Sequence, residues 1–252
     1  METQETVINA LYVARSTSAQ PTNIDNVKLE LDEALRIQTQ VIGRFEAKGE
    51  KIGGWKVGLT SGGARDRMGK DFRPFGYVLQ GRILQSGATA PWVKILKCSV
   101  EPELCLILGS PLRGDAVDAA QAKAAVRAIA PAFEINERRT RPEHGNALLV
   151  ADGLANWGIV VGPEAPVRDG LIDTTVDFSC DGQLIESKTP GTTMDDPYLS
   201  LARLCRLLHK YGRGLEPGQP VITGSFCNQV VTRPSTYSAV FSGIGPVAVQ
   251  FV

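Results

Sequence analysis

The spacing of short apolar runs from Gly53 onward constrains the fold most, because glycine, proline and aspartate separate these runs all the way along the chain. Runs of this length between turn residues predict strands. Asp181 and Gly182, at the centre of VDFSCDGQLIES, predict a hairpin, and Pro217 and Gly218 predict a turn before another strand. Strands and helices do not alternate regularly, which excludes a doubly wound sheet. We therefore predict an α+β protein with a mainly antiparallel or mixed β-structure.

Helical patterns precede and interrupt these strands. Residues 1–50 carry an apolar stripe at helical spacing, which Gly49 is placed to end. A second helix is predicted from Asp115 to Ile129, and a third is predicted to begin at a cap formed by Asp195. We expect an N-terminal helical attachment over residues 1–50 and a β-rich catalytic domain over residues 51–252. The predicted stripe consists of Leu31, Leu35, Gln38, Val41, Ile42 and Phe45.

Charge balance argues against nucleic-acid and membrane partners, and cysteine spacing argues against disulfides. The 252 residues include 27 basic and 27 acidic side chains, so no net field favours nucleic acid or an anionic membrane. The chain shows neither a signal-peptide pattern nor an apolar run of about 18 residues. We expect a cytoplasmic protein that binds a small molecule. The cysteines, an odd number without CxxC spacing, are predicted to be free thiols: Cys98, Cys105, Cys180, Cys205 and Cys227.

Two glutamates in SVEPELCLILG give the strongest chemical signal. Glu101 and Glu103 are separated by one residue, so on a strand both carboxylates lie on one face. The apolar run that follows is unlike a solvated surface, and two like charges there require a counter-ion. Glu134, in the strand-like segment APAFEIN, supplies a third carboxylate. Three oxygen ligands suit Mg²⁺ or Mn²⁺ better than zinc.

A lysine and two histidines are the other titratable candidates. Lys56 precedes Gly58 in GGWKVGLTS, an order that excludes a phosphate-binding P-loop. On a strand it is either a buried ammonium beside carboxylates or a solvated surface lysine. His144 and His209 lie in neither a metal-binding HExxH motif nor a catalytic-triad pattern, and GxSxG is absent. Hydrolysis through a serine–histidine pair therefore has little support.

Several polar segments allow both structural and functional interpretations. Asp152, in VADGLANWGIVVG, is suited to cap a helix, form a turn or point into a site. Gly224 and Ser225 end a predicted strand, where they serve a turn or donate hydrogen bonds to a carboxylate. The charged segment NERRTRPEHG is either a solvated turn or a flexible lid over an anionic substrate.

Six segments occur in a diagnostic order: GWKVGLTS, FGYVL, VEPELCLILG, APAFEI, ADGLANWGIVVG and GRGLEPGQPVITGSF. This succession resembles the 2-keto-4-pentenoate hydratase and 4-oxalocrotonate decarboxylase family, within the fumarylacetoacetate hydrolase superfamily. The resemblance implies a rolled, mainly antiparallel β-structure around a divalent metal. It further implies that Glu101, Glu103 and Glu134 are the metal ligands, and that Lys56 is the site lysine. We add Asp152 as a second catalytic candidate, and Ser61 and Ser225 as substrate-binding residues.

The resemblance also implies the chemistry. In this family the metal chelates the 2-oxo and carboxylate oxygens of a small acid and acts as an electron sink. Hydratases then add water to a 2-hydroxydienoic acid, whereas decarboxylases release carbon dioxide from a 2-oxo-enedioate. Hydratases form the larger group, which slightly favours hydration. Many of them, however, carry an acid where this chain has Pro74, and the family usually places asparagine where this chain has Gly153.

Other functions stay open at this point. A hydrolase acting on a carbon–carbon bond of an acylpyruvate uses the same metal chelation but relies on a histidine–glutamate pair. The non-enzymatic alternative is a structural subunit paired with an active paralogue. A closed homo-oligomer is the expected assembly, with a complex with a pathway enzyme as a further expectation. The expected setting is the breakdown of aromatic compounds.

Overall fold

Two β-sheets form the centre of the protein in a computed structural model, which describes residues 4–252. The strands are β1 (Ile52–Val57), β2 (Phe75–Leu79), β3 (Ile83–Gln85), β4 (Ala88–Ala90), β5 (Ser99–Leu108), β6 (Val126–Asn136), β7 (Asn156–Val161), β8 (Val176–Cys180), β9 (Gln183–Lys188), β10 (Pro220–Ser225), β11 (Gln229–Val230), β12 (Ser235–Phe241) and β13 (Gly245–Phe251). The α-helices are α1 (Gln4–Thr17), α2 (Leu31–Ala47), α3 (Ala119–Ala125), α4 (Gly145–Ala151) and α5 (Pro197–Lys210). Short 3₁₀ turns occupy Gly62–Ala64, Gln80–Arg82, Trp92–Lys94, Pro142–His144, Leu171–Asp173 and Gly191–Thr193.

The larger sheet is rolled. Its strands follow the order β2-β1-β10-β5-β6-β7-β3, with β11 beside β5, and β2 also contacts β7. The smaller sheet has the order β4-β13-β12-β8-β9. Most neighbouring strands are antiparallel, whereas β1–β10, β3–β7 and β4–β13 are parallel. The predicted α+β class with mixed, mainly antiparallel sheets is confirmed.

The two faces of β6 separate the main core from the site. Phe133 packs against Phe178 of the smaller sheet, with ring centroids 5.8 Å apart. The next residue, Glu134, points to the opposite face, because successive side chains alternate along a strand. On that face a small apolar cluster includes Ala130, Ala132 and Ile159. Glu134 therefore lies inside the roll, next to small apolar side chains.

The predicted stripe on α2 is confirmed, with Leu31 only partly buried and its other members buried. Gln38 interrupts the apolar side chains for a reason: its amide donates hydrogen bonds to the carbonyls of Phe75 (3.0 Å) and Val150 (2.6 Å). Gly49 adopts a φ of +86° just after the helix, as its predicted role requires. The stripe thus joins α2 to β2 and to α4.

The predicted helix from Asp115 to Ile129 is wrong at both ends. Helix α3 begins after Asp118, which forms a capping box with Gln121, and it ends at Ala125. From Val126 the chain is already strand β6, paired with β5 along its whole length. Alanine favours helix in isolation, but pairing with β5 overrides that preference from Val126 onward. Pro131, the predicted helix stop, lies within the strand.

The predicted cap of α5 is displaced by one residue. Asp196, not Asp195, accepts hydrogen bonds from the backbone amides of Tyr198 and Leu199. Asp195 is instead buried and forms ion pairs with Arg65, Arg73 and Arg203. Two adjacent aspartates before Pro197 offer the same local signal, so tertiary contacts decide which of them caps the helix.

The predicted turns are confirmed. Asp181 and Gly182 have φ values of +49° and +78°, as a type I′ hairpin turn between β8 and β9 requires. Gly218 has a φ of +82° in the turn before β10. All five cysteines are free, as expected. Among residues 4–252, no helix has the length and apolar character needed to cross a membrane.

Candidate metal centre and active site

Three carboxylates converge on the inner face of the rolled sheet. Glu101 lies directly opposite Glu134 in the antiparallel pair of β5 and β6, and Glu103 follows two residues along the same face. One oxygen from each carboxylate lies within 4.8 Å of the other two. Glu103 and Glu134 are buried, while Glu101 is partly buried. The strand register therefore assembles the cluster that the sequence predicted.

An amide N–H group holds each carboxylate in place. The backbone amide of Gly224 lies where β10 departs from regular pairing with β5, which brings it to a carboxylate that a straight strand would not reach. The donor distances are 2.6 Å from Asn228 Nδ2 to Glu101, 2.8 Å from Gly224 N to Glu103 and 2.8 Å from Asn156 Nδ2 to Glu134. Such supporting donors fix the orientation of carboxylates that bind a metal.

Lys56 supplies the positive charge of the cluster. It is buried on β1, and its Nζ lies 2.6 Å from a carboxylate oxygen of Glu134 and 3.3 Å from the carbonyl oxygen of Leu154. Gly76, its partner on β2, has no side chain, and a Cβ there would approach Lys56 Cγ to 2.7 Å. Of the two alternatives for Lys56, the buried ammonium beside carboxylates is the one observed.

Burial and mutual repulsion disturb the ionisation of this cluster. Burial, followed by the charge of Glu134, raises the pKa of Glu101 to about 7 and raises that of Glu103 well above its ordinary value. Burial alone would lower the pKa of Lys56, but attraction to the three carboxylates outweighs it and leaves that pKa raised. Without a cation, Glu101 and Glu103 therefore hold their protons more tightly than free carboxyls do, because one ammonium does not offset burial and mutual repulsion.

The donor set fits a hard divalent cation. Carboxylate oxygens are the ligands that Mg²⁺, Mn²⁺ and Ca²⁺ accept, and no cysteine or histidine lines the cavity around them within residues 4–252. A divalent cation that displaces the protons of Glu101 and Glu103 would relieve the repulsion among the carboxylates. Glu101, Glu103 and Glu134 are therefore residues that could hold a divalent metal.

A cavity of about 620 Å³ opens above the carboxylates. Ser61 and Ser225 both line it, but their hydroxyls already donate to backbone carbonyls: Ser61 to Ser225 (2.8 Å) and Ser225 to Cys227 (2.7 Å). Their oxygens keep lone pairs, so each hydroxyl accepts a further hydrogen bond more readily than it donates one. Their role in binding substrate stays a prediction.

Three exposed cationic side chains line this cavity: Arg67, Lys97 and Arg138. None of them forms an ion pair with another of the described residues 4–252. Arg138 belongs to the charged segment predicted as a solvated turn or a lid. The solvated-turn interpretation is wrong for its neighbours Glu137 and Arg139, which are 1% and 0% exposed.

Asp152 lies behind the cavity and does not line it. One of its oxygens accepts a hydrogen bond from Arg139 Nε (3.0 Å), and the other has no hydrogen-bond partner. Arg139 also pairs with Glu137 at 2.5 Å, so these charges form a buried network below the site. The catalytic assignment of Asp152 stays a prediction. Because Asp152 does not line the cavity, it would act through Arg139 and not by touching a ligand.

The structure also identifies site residues that the sequence did not. Asn156 and Asn228 hold carboxylates, and Arg138 borders the cavity, yet each lies in a segment whose local pattern signals only a strand end or a loop. Asn156 and Arg138 lie in ADGLANWGIVVG and NERRTRPEHG, two segments that the sequence analysis singled out, whereas no pattern pointed to Asn228. Neither donor could be paired with its glutamate before the strand register was known.

Comparisons with known proteins agree with this geometry. A 4-oxalocrotonate decarboxylase from a Pseudomonas species is 30% identical over 227 residues, which cover 88% of this chain and 86% of the relative. A 2-hydroxyhexa-2,4-dienoate hydratase from Comamonas testosteroni is 24% identical, covering 100% of this chain and 97% of its own. The solved structure of 4-oxalocrotonate decarboxylase from Pseudomonas putida G7, complexed with magnesium and adipate, matches with a TM-score of 0.88 at 22% identity, covering 100% of this chain and 99% of that one. No protein-family model matches.

Fold and site together define a class of enzyme with a rolled sheet, three clustered carboxylates and a buried lysine on one cavity. The chain belongs to the 2-keto-4-pentenoate hydratase and 4-oxalocrotonate decarboxylase family of the fumarylacetoacetate hydrolase superfamily. It is a lyase of the hydratase and decarboxylase type.

Proposed function

We propose that this protein is a divalent-metal-dependent lyase that decarboxylates a small 2-oxo acid with a second, distal carboxylate. One observation carries the proposal: a single buried ammonium, Lys56, accompanies three clustered carboxylates at one cavity. Decarboxylation needs an electron sink and one proton, and this set of groups provides for both. The relative at 30% identity is named for a substrate of this dicarboxylic class.

Glu101, Glu103 and Glu134 would hold the metal, with Mg²⁺ or Mn²⁺ as the proposed ion. When bound, the metal supplies Lewis-acid polarisation of the 2-oxo group, so that the electron pair released by carbon–carbon cleavage is stabilised. The amide donors at Asn228, Gly224 and Asn156 keep the three carboxylates oriented. These residues therefore set the position of the 2-oxo end of the substrate.

Lys56 would deliver the proton. Cleavage expels carbon dioxide, leaves an electron pair on the carbon chain and requires a proton at the carbon that loses the carboxylate or at a conjugated carbon. Lys56 is protonated, buried and held by Glu134 and by a backbone carbonyl. Among the described residues that line the cavity, no histidine, aspartate, tyrosine or cysteine offers an alternative acid.

The cations on the cavity wall would bind the distal carboxylate. Arg67, Lys97 and Arg138 are exposed, line the cavity and lack ion-pair partners within residues 4–252. These positive charges would speed the association of a dianionic substrate and orient its distal carboxylate. A monoanionic dienoate would use only the metal-binding end of the cavity.

Hydration of a 2-hydroxydienoic acid is the second candidate. Several relatives are named hydratases, including the 2-keto-4-pentenoate hydratase of Burkholderia vietnamiensis, which is 26% identical over 211 residues. Hydration requires protonation at one carbon and water attack at another. The residue at the usual hydratase acid position, Pro74, is buried, does not line the cavity and offers only its carbonyl, which accepts the N–H of Gly58. This observation places hydration second.

The test is a pair of absorbance assays with 2-oxohex-3-enedioate and 2-hydroxypenta-2,4-dienoate, each with Mg²⁺, with Mn²⁺ and with a chelator. We expect metal-dependent consumption of the enedioate with release of carbon dioxide. Glu103→Gln should abolish it, while the exposed control Glu164→Gln should not. Consumption of the dienoate without carbon dioxide release would establish the hydratase instead, and inactivity with both compounds under all conditions would contradict the proposed function.

Assembly and cellular setting stay predictions. We propose a closed homo-oligomer, a cytoplasmic location and a part in the breakdown of aromatic compounds. The division of the chain into a helical attachment over residues 1–50 and a catalytic domain over residues 51–252 also stays a prediction. Sedimentation of the purified protein would test the assembly directly.

A further inference from the structure

An arginine of the first helix reaches the interior of the protein behind the site. Arg15, near the end of α1, is only 5% exposed. Its Nη1 donates to the backbone carbonyl of Asn156 at 2.6 Å, and its Nη2 donates to that of Tyr77 at 3.1 Å. The guanidinium also lies over the Tyr77 ring, 4.2 Å from its centroid. Burying an arginine is costly unless its donors are satisfied, so these contacts fix the side chain in one position.

Arg15 acts together with the carbonyl of Gly158 and the carboxylate of Glu134 to orient the side-chain amide of Asn156. The Oδ1 atom of Asn156 lies 3.5 Å from Arg15 Nη2, and its Nδ2 donates to Glu134 at 2.8 Å. A guanidinium has donors only, so the amide oxygen must face it and the NH₂ group must face Glu134. The reversed amide would direct an oxygen at the carboxylate and an NH₂ group at the guanidinium, both of which are repulsive.

The same arginine contributes to charge balance below the site. Arg139 donates to the Asn156 carbonyl at 3.3 Å and pairs with Glu137 and Asp152. Arg15 and Arg139 together match these two buried acids in number. Removing Arg15 would leave this buried network with one positive charge fewer, which disfavours the two acids that pair with Arg139.

We propose that Arg15 is a positioning residue for Glu134, acting through Asn156, so that the first helix sets the affinity of the site for a divalent cation. The proposal rests on the proposed function, in which Glu134 is a metal ligand. Groups that orient metal ligands typically affect metal affinity by about 10- to 100-fold. Arg15 touches neither the cavity nor the carboxylates, so its effect must pass through Asn156.

The experiment measures the binding of Mn²⁺ by calorimetry and by electron paramagnetic resonance, together with the thermal midpoint with and without the metal. We expect Arg15→Met to raise the dissociation constant for Mn²⁺ by about 10-fold or more and to reduce the metal-induced rise in midpoint. Arg44→Met is the matched control, because Arg44 also contacts α1, through an exposed pair with Glu5, but has no link to the site. It should leave the affinity unchanged.

A second variant keeps the test decisive if Arg15→Met does not fold. Asn156→Ala preserves both backbone carbonyls that Arg15 binds, yet it removes the donor to Glu134, and it should weaken Mn²⁺ to a similar degree. Where both variants fold, the double variant should lose little more than either single one, because both act on the same hydrogen bond. Unchanged Mn²⁺ affinity in a folded Arg15→Met or Asn156→Ala protein would overturn the inference. Absence of Mn²⁺ binding by the wild-type protein would instead refute the metal assignment of the proposed function.

Discussion

The metal-free protein should lose stability as the pH rises from about 5 to about 8. Burial, together with the charge of Glu134, raises the pKa of Glu101 from 4.5 to about 7, and the pKa of Glu103 also lies well above its ordinary value. A carboxyl whose pKa is higher in the folded than in the unfolded chain stabilises the fold below the unfolded pKa. That contribution disappears as the pH rises through the folded pKa.

The magnitude follows from Glu101 alone. Each pH unit between 4.5 and about 7 corresponds to about 1.4 kcal/mol, which gives about 3 kcal/mol in total. For a chain of this size, about 3 kcal/mol corresponds to a fall of about 6–12 °C in the thermal midpoint. Asp152, whose pKa is also raised, acts in the same direction. Carboxyls with lowered pKa values lose their stabilisation only at more acidic pH and do not oppose the trend: Asp32, Glu46, Asp66 and Asp181.

The assay is thermal or urea unfolding at several pH values, with a chelator and with saturating Mg²⁺. Because Mg²⁺ must displace the protons of Glu101 and Glu103, the stabilisation that it confers should grow as the pH rises. Glu101→Gln is the control, since a neutral amide should flatten much of the pH dependence of the metal-free protein. Metal-free stability that stays constant or increases between about pH 5 and about pH 8 would refute this account of the cluster.

Three further predictions concern single side chains. Lys56→Met should reduce turnover by about 100-fold or more. The Mg²⁺-induced rise in thermal midpoint should persist, because Lys56 is not a metal ligand. Loss of that rise together with turnover would make Lys56 part of the metal site. Gly224→Ala should lower the free energy of unfolding by about 1–3 kcal/mol, measured by urea unfolding. The φ of Gly224 is +146°, and a Cβ there would clash with Thr60 Oγ1. Gly43→Ala is the control, because a Cβ at Gly43 has no neighbour within 4 Å. Arg138→Gln should raise KM for a dicarboxylic substrate by up to about 5-fold, the worth of one exposed charge contact, and leave KM for a monocarboxylic substrate unchanged. An equal rise in KM for both substrates would exclude contact with the distal carboxylate.

The sequence predicted those parts of the site that depend on local periodicity. Glu101 and Glu103 share a face because alternate residues of any strand do, and the apolar run after them indicates burial. Glu134 and Lys56 lie in segments whose order resembles a known family. The distances between these four residues required the strand register, which local sequence does not encode.

The errors have a common physical cause. The alanine-rich segment before Pro131 has a helical preference, but pairing with β5 makes its last residues, from Val126 onward, a strand. The two adjacent aspartates before α5 give the same local signal, and only the ion pairs of three arginines with Asp195 leave Asp196 as the cap. Arg15 and Asn156 are 141 residues apart, so no local pattern could have connected them. Each case depends on contacts that lie outside the local segment from which the prediction was made.

The strand order also suggests the sequence in which the site assembles during folding. Strands β5 and β6, which carry all three acids, are joined by residues 109–125, whereas β1 must pair in parallel with the far more distant β10, for example Trp55 with Val221. Contacts between distant segments cost more chain entropy and form later. We therefore expect the acids to meet before Lys56 reaches them. Solvent protons or a divalent cation would then be their first counter-ions, so the rate of refolding should depend on both pH and Mg²⁺.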